Sequence, residues 1–272
     1  MRNILFSTTL LFLSLTVPAQ RSIAGLVNAE KEFAGFTASH TIKEGFLKYM
    51  DTLGVVFQHA TPVNALETYR KQKAGSGILN WAPEFAVISA AGDMGITTGP
   101  YEFKTTAVDS APSYGSFSSV WQINKEGIWK NMVDLGTSFQ LASATVTDVK
   151  QIVLPALQPE GSTYEELLAM DQALNSVIHK KNIVALADFF PEDSRLNRDN
   201  YTPVTGTQAV VSGLGDFGRQ AVLIPIKGAI SESKDLAWFY GSVISGSRKE
   251  NYLRVWVLRN GKWKVIFQTI KG

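Results

Sequence analysis

Residues 162–182, STYEELLAMDQALNSVIHKKN, repeat apolar side chains at Leu167, Met170, Leu174, Val177 and Ile178, the three-and-four spacing that lays one stripe along a helix. Thr163 followed by Glu166 predicts its start, because a hydroxyl and a carboxylate three residues apart can satisfy each other's free backbone amides. Near the front of the chain Leu26, Ala29, Phe33 and Phe36 keep a similar stripe, and Phe46, Tyr49, Met50 and Leu53 predict a second helix. NALETYRKQ, after Pro62, predicts a short third one, with TGTQAVVSGL as its later counterpart. Strand-like runs follow the helical stretches both times. In NGKWK, Asn260-Gly261 supplies the positive φ angles of a two-residue hairpin turn, whereas NKEGIWK makes a slightly longer loop with Gly127 at its end. Helices first and strands after, twice over, predict an α+β chain with helices packed on one face of an antiparallel sheet in each half.

Two echoes support a chain built twice. SAAGDMGITTG (Ser89 to Gly99) aligns without a gap on SESKDLAWFYG (Ser231 to Gly241), and SSVWQINKEGIWKNMV (from Ser118) aligns on YLRVWVLRNGKWKVIF (from Tyr252) through Val-Trp and Gly-x-Trp-Lys. Both come in the same order and near the end of each half. Pro155, Pro159 and Gly161 punctuate a stretch without sustained period, so the expected division is a first domain over 22–138, a connection over 139–161 and a second domain over 162–272. The apolar IVLPAL within the connection is expected to lie against a domain.

The first 20 residues, MRNILFSTTLLFLSLTVPAQ, have a positive end, a short apolar run and Val-Pro-Ala before Gln20, the layout of a signal peptide covering 1–19. The expected mature protein is exported, periplasmic or secreted, with no stable membrane insertion. With no cysteine, the chain can form no disulfide and has no thiolate ligand or cysteine nucleophile. A composition of 45% hydrophobic and 11% aromatic residues is globular. The 26 basic and 24 acidic residues are scattered and form no basic stripe, which argues against nucleic acid as a partner. His40, His59 and His179 lack metal-ligand spacing, so neither a metal nor a cofactor is expected. GLGDFG, Gly213 to Gly218, spells a dinucleotide-like glycine pattern but stands between a helical and a strand-like stretch, the reverse of the required order, and reads as a loop.

Three features of the first half, Trp81-x-Pro83, Gly92-Asp93 leading to Gly99-Pro100-Tyr101, and Gly127-x-Trp129-Lys130 with Asp134, resemble the SnoaL-like branch of the nuclear transport factor 2-like superfamily. The second half is similar more weakly, through Asp235, Ala237, Gly241 and Asn260-Gly261-x-Trp263-Lys264, and lacks the Trp-x-Pro and Gly-Pro-Tyr elements. The resemblance implies two tandem cone-shaped α+β domains, each with a pocket between helices and a curved sheet. It also implies that the domains pair through their sheets, and it leaves a homodimer open. It does not choose a function, since the superfamily holds isomerases, dehydratases, cyclases and hydrolases beside non-catalytic binding and assembly modules.

Enzymes of that superfamily use acids in a pocket, and Asp134, in NMVDLG, is the candidate catalytic acid because apolar neighbours raise a carboxyl pKa. Alternation sets it apart from Val133 and Leu135, and the second half carries Gln268 in its place. Trp81, Glu84, Thr97 and Tyr101 are the candidate pocket walls. Asp93 and Asp235 are expected to close turns. Gly95 to Thr98 align with the bulkier Ala237, Trp238, Phe239 and Tyr240, which predicts an open first pocket and a filled second one. A small-molecule binder, an acid-base isomerase, dehydratase or hydrolase using Asp134, and an assembly module with both pockets filled are the three readings.

Overall fold

The computed structural model describes residues 20–73, 75–140, 145–155, 162–180, 183–215 and 221–272. The expected leader, residues 1–19, lies outside the described residues, as do 141–144 and 156–161 of the expected connection.

The first half runs α1 (Ile23–Ser39), α2 (Ile42–Tyr49), β1 (Met50–Gln58), β2 (Thr61–Asn64), α3 (Ala65–Lys71), β3 (Ile78–Trp81), β4 (Phe85–Ile88), β5 (Met94–Lys104), β6 (Ser113–Ile123), β7 (Trp129–Asp134), β8 (Thr137–Phe139) and β9 (Lys150–Val153). The second half runs α4 (Tyr164–His179), α5 (Ile183–Ala187), β10 (Arg195–Arg198), β11 (Tyr201–Thr205), α6 (Thr207–Gly215), β12 (Val222–Ile230), β13 (Leu236–Ser245), β14 (Arg248–Arg259) and β15 (Lys262–Lys271). α4 starts at the Thr163–Glu166 capping box. The hairpin between β14 and β15 turns on Asn260 and Gly261 at φ 51° and 71°. The second predicted helix stops early, since Met50 is already extended and Leu53 is 63% exposed on β1. Asp51 Oδ1 accepts from Leu53 N, and the Val-Val-Phe run beyond favours strand over helix. The glycines of GLGDFG also depart from a loop at their start, because α6 continues through Gly215; residues 216–218 lie outside the described residues.

The first sheet is ordered β2-β1-β7-β6-β5-β4, with β9 on β4, β3 on β5 and β8 on β6; the second is ordered β11-β10-β15-β14-β13-β12. The common path is the same in both halves. Neither sheet is purely antiparallel as expected, because β1 runs parallel to β7 and β10 parallel to β15. The chain between those partners is far longer than a hairpin, which frees it to return in the same direction. Residues 150–153 of the expected connection form β9, parallel to β4, so this part of it belongs to the first sheet.

Three apolar clusters define four layers. Phe33, Phe46 and Trp121 join α1 and α2 to the first sheet, and Leu174, Phe239 and Trp256 join α4 to the second. Between them Ile96, Val120, Val133, Trp238, Tyr240, Val255 and Phe267 pack the two sheets face to face. Side chains alternate across each sheet, so Ala237 and Phe239 face helices while Trp238 and Tyr240 face the other sheet.

The matching turns before β5 and β13 clasp each other. Asp93 accepts from Ser89 Oγ at 2.7 Å and from Glu232 N at 2.9 Å; Asp235 accepts from Ser231 Oγ at 3.0 Å and from Ala90 N at 2.9 Å. Each aspartate thus closes its own turn and caps the other half's, a reciprocal pattern typical of a two-fold contact.

Candidate functional site

The site is built where α1 crosses β5. Gly95 allows that approach, since a Cβ there would lie 2.4 Å from Leu26 Cδ2 and 2.7 Å from Val87 O. One turn beyond Leu26, Glu30 points into the sheet and is wholly buried. Its carboxylate accepts from Thr97 Oγ1 at 2.5 Å, Trp81 Nε1 at 2.6 Å and Trp121 Nε1 at 2.8 Å. All three donors are neutral. Burial raises the Glu30 pKa, and these hydrogen bonds only partly counter it.

Asp134, at the end of β7, is the second acid. Its Oδ2 accepts from Ser119 Oγ at 2.9 Å and from Asn131 Nδ2 at 3.3 Å. Desolvation first, and the nearby Glu30 second, push its pKa up to about 7. Val133 and Leu135 on either side of it face the sheet interface.

Asp134 opens into a cavity of about 370 Å³ whose walls include Leu79, Trp81, Tyr101, Phe103 and Phe117. Ser113, Gly136 and Ser138 line it too, so that among the described residues Asp134 is its one carboxyl, with no lysine, arginine or histidine. Gly115 lets β8 and the Tyr101 ring close on β6, because a Cβ there would sit 1.8 Å from Thr137 O and 2.5 Å from the ring. Tyr101 Oη lies 3.3 Å from Ser138 Oγ, and burial raises its pKa.

Of the sequence candidates, Trp81, Tyr101 and Asp134 meet at this cavity. Thr97 lies beneath it, wholly buried against Glu30. Glu84 is elsewhere: its carboxylate takes Arg195 of the second half at 2.5 Å, an ion pair that ties the halves together and removes it from the pocket walls. The residue missed by sequence reasoning is Glu30. A signal existed, since Leu26-x-x-x-Glu30-x-x-Phe33 recurs as Leu167-x-x-x-Asp171-x-x-Leu174, an acid inside an apolar stripe in both leading helices.

The second half fills the corresponding space. Asp171 accepts from Trp256 Nε1 at 3.0 Å, as Glu30 does from Trp121, but also from Arg254 Nη1 at 2.8 Å and Tyr252 Oη at 2.8 Å. Arg254 pairs across the strands with Gln268, as Ser119 does with Asp134, and its Nε donates to Gln268 Oε1 at 2.9 Å. Arg254, Asp171 and Gln268 are all wholly buried. Of the bulkier β13 residues, Trp238 and Tyr240 fill the sheet interface and Phe239 lies on the helix side, where Tyr252 and Arg254 complete the filling. The second half does carry larger depressions by volume, about 490 Å³ beside Asn175, His179 and Ile224, and about 530 Å³ beside Arg198, Tyr201 and Lys249. The first is a groove between α4 and the edge strand β12, the second a polar recess at strand ends, and neither is lined by Arg254, Gln268 or Trp256.

No family model and no curated protein matches the chain. Solved structures with a similar fold include a nuclear transport factor 2-like protein from Cytophaga hutchinsonii, 17% identical, covering 41% of this chain and 99% of its own, at TM-score 0.36. A protein of unknown function with a cystatin-like fold from Nostoc punctiforme, also 17% identical, covers 40% of this chain and 91% of its own at TM-score 0.34. A nuclear transport factor 2-like protein with a cystatin-like fold from Novosphingobium aromaticivorans, 12% identical, covers 39% and 79% at TM-score 0.33.

Proposed function

We propose that the first half binds a small apolar or amphipathic molecule in the cavity between its helices and sheet, and that the second half is mainly structural. The observation that supports this reading is a cavity of about 370 Å³ walled by aromatic side chains with, among the described residues, Asp134 as its one carboxyl. Concave, mostly apolar and with few polar groups, it has the character of a small-ligand site. The assembly reading is less favoured, because it requires both interiors filled while the apolar sheet faces are already consumed against each other. On the strength of residues 1–19 alone, the mature protein is proposed to act outside the cytoplasm. Among the described residues no helix is long and apolar enough to cross a membrane.

A second reading, acid-base catalysis, is favoured by one observation: the Asp134 carboxyl, raised to about 7, lies where a general base for neutral pH is useful. Isomerisation, dehydration or hydrolysis would each begin with proton transfer at its Oδ1, since both hydrogen bonds to it fall on Oδ2.

Native mass spectrometry of the purified protein beside Asp134→Asn tests the binding reading. A co-purified small molecule in the wild type, lost or weakened in the variant, is the expected outcome. A ligand retained equally by both would remove Asp134 from the site.

A further inference from the structure

We propose that the ligand of the first half is a protonated amine carrying an apolar or aromatic body, whose ammonium group takes the place that the Arg254 guanidinium fills in the second half. This rests on the binding reading above and names the class of molecule bound.

In both halves a buried acid on the leading helix accepts an indole N–H from the same strand position, Glu30 from Trp121 and Asp171 from Trp256. In the second half a cation completes the arrangement, with Arg254 bound to Asp171 Oδ1 and to Gln268 Oε1. In the first half the same cross-strand pair is Ser119 and Asp134, so the cation is missing and a second acid has been added. Paired acids without a cation are a costly arrangement in a desolvated place.

Among the described residues none donates to Asp134 Oδ1, and the buried Asn131 Oδ1 has no partner. The hydroxyls of Tyr101, Ser113 and Ser138 on the walls can donate as well as accept, but none of them carries a positive charge to meet the Asp134 carboxyl. An ammonium brings both a positive charge and several N–H donors, whereas a carboxylate ligand would add a third negative group to a cavity lined by no lysine, arginine or histidine. The walls suit the rest of such a molecule, because Trp81, Tyr101, Phe103 and Phe117 offer ring faces that attract a cation and pack against an apolar body.

Isothermal titration of the full chain with three probes of one shape tests the proposal: 2-phenylethylammonium, 2-phenylethanol and 3-phenylpropanoate, at pH 8. The ammonium is expected to bind at least tenfold more tightly than the alcohol, with the carboxylate weakest, and Asp134→Asn is expected to erase that preference. Wild-type protein gives an independent readout that needs no variant to fold. The groups facing Asp134 are Glu30 from α1, Tyr69 from α3 and Tyr101 from β5. Burial holds both tyrosines protonated, so the ammonium preference should shrink between pH 8 and pH 5 as the carboxyls take up protons. An alcohol that binds as well as the ammonium, or a preference unchanged in Asp134→Asn or at pH 5, overturns the amine proposal and leaves the pocket standing. Failure of all three probes to bind at millimolar concentration overturns the pocket reading as well.

Discussion

Ser119 and Arg254 stand at corresponding places on β6 and β14, one a hydroxyl beside Asp134 and the other a guanidinium wedged between Asp171 and Gln268. Removing Arg254 and removing the Asp134 carboxyl should have opposite consequences. Arg254→Met leaves Asp171 buried without its cation and is expected to cost about 3–5 kcal/mol, the usual penalty for breaking a buried ion pair from one side, read by urea unfolding. Asp134→Asn removes a carboxyl that burial disfavours. The folded protein holds the Asp134 proton up to about pH 7, while an unfolded chain releases it near the ordinary value of about 4. The stability gained from that proton is present at low pH and lost as the pH rises through 7. Asp134→Asn should therefore raise Tm at pH 8 by roughly 5 °C and change it little at pH 4. An equal shift at both values would contradict a titrating Asp134. Glu30 escapes a reading from sequence because a single glutamate on a helix ordinarily faces water; only the repetition of an acid at the same place in α4 marks it.

Elements were legible where local chemistry decides them. The Thr163 cap and the Asn260-Gly261 turn act within a few residues, and the structure has both. Where tertiary contacts decide, the sequence was less informative: α2 ends at Tyr49 because the following residues join β7 in the sheet, and no stripe records that pairing. The clasped turns belong to this scale as well. An aspartate just before a strand, beside Gly92 or Lys234, predicts a closed turn, but the second carboxylate oxygen of each bonds the other half, a contact visible only once the sheets are stacked. Asp93→Ala and Asp235→Ala each strip a partly buried backbone amide of its charged acceptor, Glu232 N and Ala90 N respectively. Each is expected to lower the unfolding free energy by about 2 kcal/mol in thermal or urea denaturation. No loss in either would mean that water replaces the carboxylate and that the clasp is incidental.

At the scale of the whole molecule, two halves with one strand order stack their sheets through a shared apolar layer and turn their helices outward. That arrangement leaves each helix–sheet interior to develop on its own. Arg254, Tyr252 and Phe239 fill the second, while the first retains a cavity beside two carboxyls. The volume difference along β5 and β13 hinted at this from the sequence but left open which of the four residues look inward, because that depends on a sheet partner in the other half; Phe239 does, and Trp238 and Tyr240 do not. A crystal structure of the protein soaked with 2-phenylethylamine addresses the asymmetry most directly. The account predicts the probe in the first half, its nitrogen within hydrogen-bond distance of Asp134 and its ring against Trp81 and Tyr101, with the interior around Arg254 unchanged. A probe lodged between α4 and the second sheet, or a first cavity left empty at saturating concentration, would contradict it.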